Sequence, residues 1–522
     1  MQMYKEFLNL ASKTHRNVKL FLFFLLSVSL IPAPAEYKEN PRAIYDVSVL
    51  GKVKEYTGPR CSAAFRRKLA QLPDFAAAEA YELSIGSCGV KIQALTPEGV
   101  FRARQTLLKL AATDSARHSC TIFDYPRYRH RGLMIDESRS FKGKDFIKKQ
   151  IDAMALLGLN SLHLHLTDAA GWRIEIKSHP ELTERAAWRI GYTYAEWEAR
   201  GYPFSTRDDP EAYGGFYTQE DLREIVAYAS ERYIQIIPEI EMPGHSMEVN
   251  RTYPDLACLD ENGRRRSFSW DLCPGNDGTI RLLEDILTEV IDIFPCRYVH
   301  IGGDEAVMKD WPSCVNCRRR MQEEGFTDVH QLQGYLVSHI AEWLRDHGRT
   351  AVGWDEILET GITEDAVVMS WRGTAGGQKA AAAGHNVIMS PNTHVYFDYY
   401  QDLIRKEPLA VGELTSLHWV YTYDPGDDPH ILGLQANLWC EKIPTVSHAE
   451  YMLYPRLFAI AEIGWTPASH HKDAEEFRHR ARTLLNLFKS LGYNSFDMDT
   501  ESDFARAGMR RTQAGDLIYP IF

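Results

Sequence analysis

Residues 297–305 read RYVHIGGDE: an apolar strand that runs through two glycines into two adjacent acids, Asp304 and Glu305. The layout recurs along the chain. RGLMIDES (131–138), SLHLHLTD (161–168), IQIIPEIEMPGH (234–245), TAVGWDEI (350–357), AVVMSWRG (366–373), NVIMSP (386–391) and LGLQANLWCE (432–441) are short apolar runs of the same kind, most of them ending in polar or aromatic residues. Helical patterns separate most of them, as over Thr218 to Ser230, where Thr218 and Asp221 form a capping box. Eight such units predict an α/β fold, a (β/α)8 barrel rather than an open sheet, with its chemistry at the carboxyl ends of the strands.

The barrel does not use the whole chain. The 522 residues exceed one ordinary core. Residues 36–124 read as a small α+β domain, in which YELSIGSCGVKIQAL (81–95) alternates like strand and PEGVFRARQTLLKLAA (97–112) has helical spacing. The barrel is expected over 125–490 and a C-terminal extension over 491–522. At the start, Lys19 precedes an apolar run from Leu20 to Leu30, followed by Ala33-Pro34-Ala35. That is the layout of a secretory signal over residues 1–35, cleaved after Ala35, which places the protein in the periplasm or outside the cell. The run is shorter than the roughly 20 residues of a membrane-spanning helix. A net charge of −12 argues against nucleic acid as a partner. Nine cysteines leave at least one thiol free or paired outside the chain. Cys258 and Cys273 flank a polar loop that a disulfide could close. Cys314 and Cys317 form CVNC, a local disulfide or half a zinc site; no second CxxC accompanies it, which leaves zinc the weak reading.

The strand ends gather Arg139, Asp168, Glu239, Glu241, His245, Asp304, Glu305, Trp354, Asp355, Trp371, Arg372, Tyr396, Asp398, Trp439 and Glu441. Tryptophans beside acids and an arginine suit a sugar, whose ring offers an apolar CH face and a rim of hydroxyls. Glycoside cleavage usually takes two carboxylates facing each other across the bond, about 5 Å or about 6.5–9.5 Å apart. Neighbours on a strand point to opposite faces, so Asp304 and Glu305 suit a different division of work. If the substrate carries a 2-acetamido group, its own carbonyl oxygen attacks the anomeric carbon. One acid then protonates the leaving oxygen, and one carboxylate holds the acetamido N–H. A general acid needs a proton, so whichever of the two serves as the acid is expected to have a raised pKa, with the charge of the other pushing the same way.

HIGGDE (300–305), with RGLMIDESRSF (131–141), HLHLTDAAGWRIEI (163–176), PEIEMPGH (238–245), GWDEI (353–357) and LGLQANLWCE, resembles the family 20 glycoside hydrolases, the β-N-acetylhexosaminidases. The resemblance covers nearly the whole chain beyond the signal. It implies a retaining exo-enzyme that removes terminal N-acetylglucosamine or N-acetylgalactosamine by substrate-assisted catalysis, without metal or cofactor. It implies Glu305 as acid/base, Asp304 as the residue orienting the acetamido N–H, and Tyr396 on the acetamido carbonyl. Trp354, Trp371 and Trp439 match the walls around the sugar, Arg139 and Glu441 the hydroxyl grip, and Asp168 and His245 a supporting pair. Asp398 matches an acid near the outer hydroxyls. Two departures stand out: Glu241 replaces the aspartate of PEIDMPGH, and Ala169-Ala170 replace the polar pair of LTDDQGW.

Other readings remain. A lacto-N-biosidase-like specificity fits the same motifs. A metal-dependent hydrolase would draw on His163 and His165, which share one strand face, with Glu239, Glu241 and His245; the competing view makes both histidines hydrogen-bonded parts of the barrel interior. A non-catalytic glycan-binding barrel would keep the aromatics and lose the catalytic acid. Residues 178–217, rich in aromatics and including Trp197, suggest a platform for the leaving-group sugar or packing on the barrel rim.

Overall fold

The computed structural model describes residues 30–113, 118–359, 361, 365–403, 407–470, 473–511 and 517–518. Most of the expected signal, residues 1–29, lies outside them.

The small domain is a five-stranded sheet of β1 (Glu36–Ile44), β2 (Val53–Thr57), β3 (Tyr81–Gly86), β4 (Gly89–Ala94) and β5 (His118–Asp124), in the order β1-β5-β3-β4-β2. β3 and β4 pair antiparallel from Tyr81↔Ala94 to Gly86↔Gly89. The alternation that predicts a strand also decides its buried face. Tyr81, Leu83 and Ile85 turn inward to share a core with Val100, Leu107 and Leu110 of the helix Pro97–Thr113.

Eight parallel strands then close into a barrel: β6 (His130–Asp136), β7 (Ser161–His165), β8 (Gln235–Met242), β9 (Tyr298–Gly302), β10 (Thr350–Trp354), β11 (Val367–Ser370), β12 (Val387–Met389) and β13 (Ile431–Leu438). Each is one of the eight quoted runs. β13 closes onto β6 from Gly433↔His130 to Leu438↔Ile135. Period-two alternation splits each strand between two environments. In β7, Leu162 and Leu164 join the apolar layer under the helices, while the imidazoles of His163 and His165 reach Glu239.

Two connections depart from the regular strand–helix pattern. Between β10 and β11 the described residues hold a single 3-10 turn, Asp355–Leu358. Asp355 accepts hydrogen bonds from Ser370 Oγ and from the Trp371 and Arg372 N–H groups at 3.1–3.2 Å, tying the end of β10 directly to the end of β11. Between β12 and β13 the described residues include only two short helices, Asn392–Val395 and Leu417–Tyr421.

The joint between sheet and barrel uses residues placed in the expected signal. Leu30 and Ile31 are buried. Arg480 donates to Leu30 O at 2.8 Å, Lys109 to Ile31 O at 2.7 Å, and Thr466 to Ala33 O at 2.7 Å. The Ala33 N–H donates to Glu462 and the Ala35 N–H to Asp124. Cleavage after Ala35 would remove this whole stitch, whereas a processed chain that keeps the joint begins at or before Leu30. At the other end Tyr493, Phe496 and Met498 fold back into the barrel core.

Candidate active site

The chemistry assembles where β9 ends. The chain turns through Gly302 (φ 65°) and Gly303 (φ 97°), left-handed conformations that glycine takes without strain. A Cβ on Gly302 would lie 1.7 Å from Glu241 Oε1, and Gly303 N–H donates to that same oxygen at 3.2 Å. The lengthened Glu241 therefore braces the turn from beneath.

The turn sends the two acids to different places. The Asp304 side chain is 12% exposed and that of Glu305 59%. Burial raises the Asp304 pKa, and its charge acts on Glu356 and Tyr396 at the inner wall. Glu305 feels Arg139 and Asp168 on the opposite side. His245 stands between them, with Nε2 3.6 Å from Asp304 and 3.5 Å from Glu305 and Nδ1 3.4 Å from Asp168. Burial would lower the His245 pKa, but Asp168 and the two neighbouring acids hold it well above the ordinary histidine range. Asp168 stays ionised despite burial because Arg139, at 2.7 Å, and His245 pull its pKa well down.

The expectation of a raised Glu305 pKa does not hold in the open pocket. The charged His245 imidazole, 3.5 Å away, is the largest influence and lowers it, outweighing burial. The sequence offers the Asp304 charge and the supporting pair of Asp168 and His245, but not the distance at which the imidazole meets Glu305.

Arg139 lies under the other half of the mouth. It pairs with Asp168, approaches Glu441 at 3.7 Å, and sits 5.0 Å from the Trp439 ring centre. Trp354, Trp439, Tyr396 and Trp371 follow one another as a wall, with ring centres 5.7, 6.3 and 6.3 Å apart. Trp354 donates to Glu239 at 2.9 Å and Trp371 to Glu356 at 3.0 Å, which fixes both indoles. Asp398 is buried nearby, its pKa pushed well up by burial and by Glu441. Asp304 Oδ1, Asp398 Oδ1, Glu441 Oε2 and Arg139 Nε are buried with no hydrogen-bond partner among the described residues. Buried polar atoms are normally satisfied. Unmet acceptors and a donor around an aromatic wall are what a polyhydroxylated ring would fill.

The models of glycosyl hydrolase family 20 match twice, the catalytic domain over residues 128–468 and domain 2 over residues 31–125. This chain belongs to that family. A beta-hexosaminidase of Porphyromonas gingivalis is 41% identical over 425 residues, covering 77% of this chain and 52% of the relative. One from Akkermansia muciniphila is 32% identical over 77% of this chain and 82% of its own length. The chain thus spans about half of the first relative, and the match to a Vibrio furnissii beta-hexosaminidase covers 65% of that protein. Among solved structures, the family 20 exo beta-N-acetylglucosaminidase of Vibrio harveyi, in complex with N-acetylglucosamine, superposes with a TM-score of 0.77 at 30% identity, covering 92% of this chain and 80% of that one.

Within this family 20 barrel, Glu305, Asp304, Tyr396, Arg139, Asp168, His245, Trp354, Trp371, Asp398, Trp439 and Glu441 all lie at the same mouth. Asp355 and Arg372 do not act as pocket groups: Arg372 donates to Asp355 at 2.6 Å, and the pair anchors the Trp371 backbone. His163 and His165 are buried side by side with a structural partner. Glu239 takes both, at 3.1 Å from His163, and also approaches His300 at 2.8 Å. Glu356 and Tyr194 were not singled out by sequence. Glu356 has its pKa pushed to about 7 by burial, with Asp304 adding to the rise. Burial pushes the Tyr194 hydroxyl to about 12 against the pull of Arg139. The only hints were the second acid of GWDEI and the aromatic richness of 178–217.

Proposed function

We propose that the protein is an exo-β-N-acetylhexosaminidase that removes terminal 2-acetamido sugars from glycans with retention of configuration. The observation that carries this reading is the division of Asp304 and Glu305 between inner wall and rim, on either side of His245. The names of the matched relatives support it.

In the reaction so read, the sugar ring lies against Trp439 with its acetamido group between Trp354, Trp371 and Tyr396. Arg139, Glu441 and Asp398 take its hydroxyls. Glu305 gives its proton to the glycosidic oxygen while the acetamido carbonyl oxygen closes on the anomeric carbon. Asp304 accepts the acetamido N–H and balances the oxazolinium charge, which is stabilisation aimed at the transition state. Glu305, now a carboxylate, takes a proton from the water that reopens the ring. Substrate covering the exposed Glu305 side chain removes water from it and raises its pKa toward the value an acid needs.

The test compares an aryl N-acetyl-β-glucosaminide with the matching β-glucoside. Rapid hydrolysis of the glucoside would contradict substrate assistance, and a thiazoline mimic of the cyclic intermediate should inhibit strongly. Glu305→Gln should lower the rate about 10²–10⁴-fold, less with an acidic leaving group. Asp304→Asn should reduce kcat more than it raises KM.

Export to the periplasm or the cell exterior belongs to the same proposal. The Lys19-led apolar run supports it, with processing ahead of Leu30. Among the described residues no helix is long and apolar enough to cross a membrane.

A further inference from the structure

Four cysteines far apart in sequence meet beside the active site. Cys258 and Cys273 lie on the loop after β8, and Cys314 and Cys317 on the loop after β9. All four are fully buried, and their Sγ atoms lie within 4.8 Å of one another. Cys258 and Cys317 are 3.8 Å apart, Cys273 and Cys314 3.7 Å, and Cys273 and Cys317 3.6 Å. The surrounding shell is apolar, with Trp311 and Leu332 buried against the sulfurs and Met308, Met321 and Phe326 packed outside them.

The spacing discriminates between the chemistries open to four thiols. A disulfide brings two sulfurs to about 2.05 Å, and these distances are nearly twice that. A tetrahedral zinc site with bonds of about 2.3 Å sets its sulfurs about 3.8 Å apart. The local backbone has the matching form. Cys314 is the N-cap of the helix Val315–Glu324, which places Cys317 in its first turn. Opposite, Cys273 opens a Cys-Pro-Gly turn in which a Cβ on Gly275 would lie 2.3–2.4 Å from the Asn316 and Cys317 backbone, so the two turns meet only because residue 275 is glycine. Arg319 donates to Gly275 O at 2.9 Å across the same seam.

We propose that Cys258, Cys273, Cys314 and Cys317 bind one zinc ion as a closed tetrathiolate. Four protein ligands leave no position for water, so the site is structural. The sequence holds no second CxxC because the other two ligands are 15 residues apart and become a pair only when the loop folds. The ion clamps the two loops that carry His245 and the acid pair. Two residues before Cys273, Asp271 accepts the N–H groups of Val307 and Met308 at 3.2 and 2.7 Å, two and three residues after Glu305. The proposal does not depend on which glycoside the pocket takes.

Elemental analysis of the purified full chain decides the matter. The expected result is about one zinc per chain, released in step with mercurial titration of four thiols, with loss of thermal stability on release. Cobalt put in its place should show the charge-transfer bands of a tetrahedral thiolate site. Simultaneous replacement Cys314→Ser/Cys317→Ser should abolish zinc retention, but the native chain suffices if that variant does not fold. Metal-free protein with all four thiols open to alkylation overturns the proposal. So do two disulfides found by non-reducing peptide mapping, or a full equivalent of iron in place of zinc.

Discussion

Glu305, His245 and Met308 are non-glycine residues with φ of 46°, 52° and 55°, and all three lie on the two loops that form the acid pair's surroundings. Such conformations cost on the order of 1 kcal/mol or more each and persist where neighbouring contacts hold them. The strain has a product: it brings a charged imidazole to both acids. Removing that charge should therefore move the pH profile. In the free enzyme His245 lowers the pKa of Glu305 and opposes the burial-driven rise of Asp304. The proposed mechanism needs Glu305 protonated and Asp304 ionised, so in His245→Asn both limbs of the kcat/KM profile should shift to higher pH. An unmoved alkaline limb would separate His245 from the acid. Glu248, buried close to Asp168, offers a stability counterpart. Burial, with Asp168 adding to it, pushes its pKa up to about 8 from an ordinary 4.5. Between those values the folded state holds a proton that the unfolded state releases, so stability falls as pH rises, by about 1.4 kcal/mol per pH unit for this group, and the fall ends near pH 8. Glu248→Gln mimics the protonated acid and removes that slope. Thermal midpoints from pH 5.5 to 8.5 should decline less steeply in the variant, and parallel curves would refute the assignment.

Among the elements, the strands were readable from sequence because one rule governs both their pattern and their place. An apolar run that ends in polar groups is a barrel strand with its functional end exposed. The connections obey no such rule. Nothing in GWDEI shows that Asp355 will tie the end of β10 directly to the end of β11, and no spacing announces that two loops pool four cysteines. The pocket was readable because its residues sit at strand ends. Glu356 and Tyr194 escaped because only the folded walls bring them inward. The aromatic stretch 178–217 shows the same limit. Trp197 is fully buried, edge-on to Tyr194, Tyr202 and Phe204 and packed against Ala169, Ala170 and Met247. The two alanines that depart from the family pattern make room for that ring. It is a core residue of the loop, and the expectation of a sugar platform at Trp197 is corrected; Tyr192, 49% exposed, is the ring open to solvent there. Trp197→Ala should cost about 3–5 kcal/mol of stability. Activity on an oligosaccharide and on a small aryl glycoside should fall together, since the loop supports the mouth as a whole. A selective rise in KM for the oligosaccharide would restore the platform.

At the scale of the molecule, sheet and barrel are held by a segment that sequence assigns to removal. An apolar run followed by small residues looks the same whether a protease or a core receives its end, and only packing separates the two. Leu30 and Ile31 bury against different partners: Leu30 joins the small domain's core and Ile31 the barrel's. Asp124, at the end of β5, holds the Ala35 N–H and the Tyr81 hydroxyl, and its pKa is pushed to about 6 by burial. Arg480 reaches from the helix Ala474–Ser490 to Leu30 O and to Glu462 at once. Burying two such aliphatic side chains stabilises the joint by about 3–6 kcal/mol in sum. Loss of the segment would also leave Glu462 without the Ala33 N–H and Lys109, buried with its pKa lowered to about 8, without the Ile31 carbonyl. A chain beginning at Glu36 should therefore melt several degrees below one beginning a few residues ahead of Leu30. The pocket lies at the opposite mouth of the barrel, so KM for a small aryl substrate should stay nearly unchanged well below that melting temperature. Under the proposed export, the intact mass of the secreted chain gives the independent reading: the mature chain should begin at or before Leu30. A mature start at Glu36 with undiminished stability would show that the stitch is dispensable and return the boundary to Ala35.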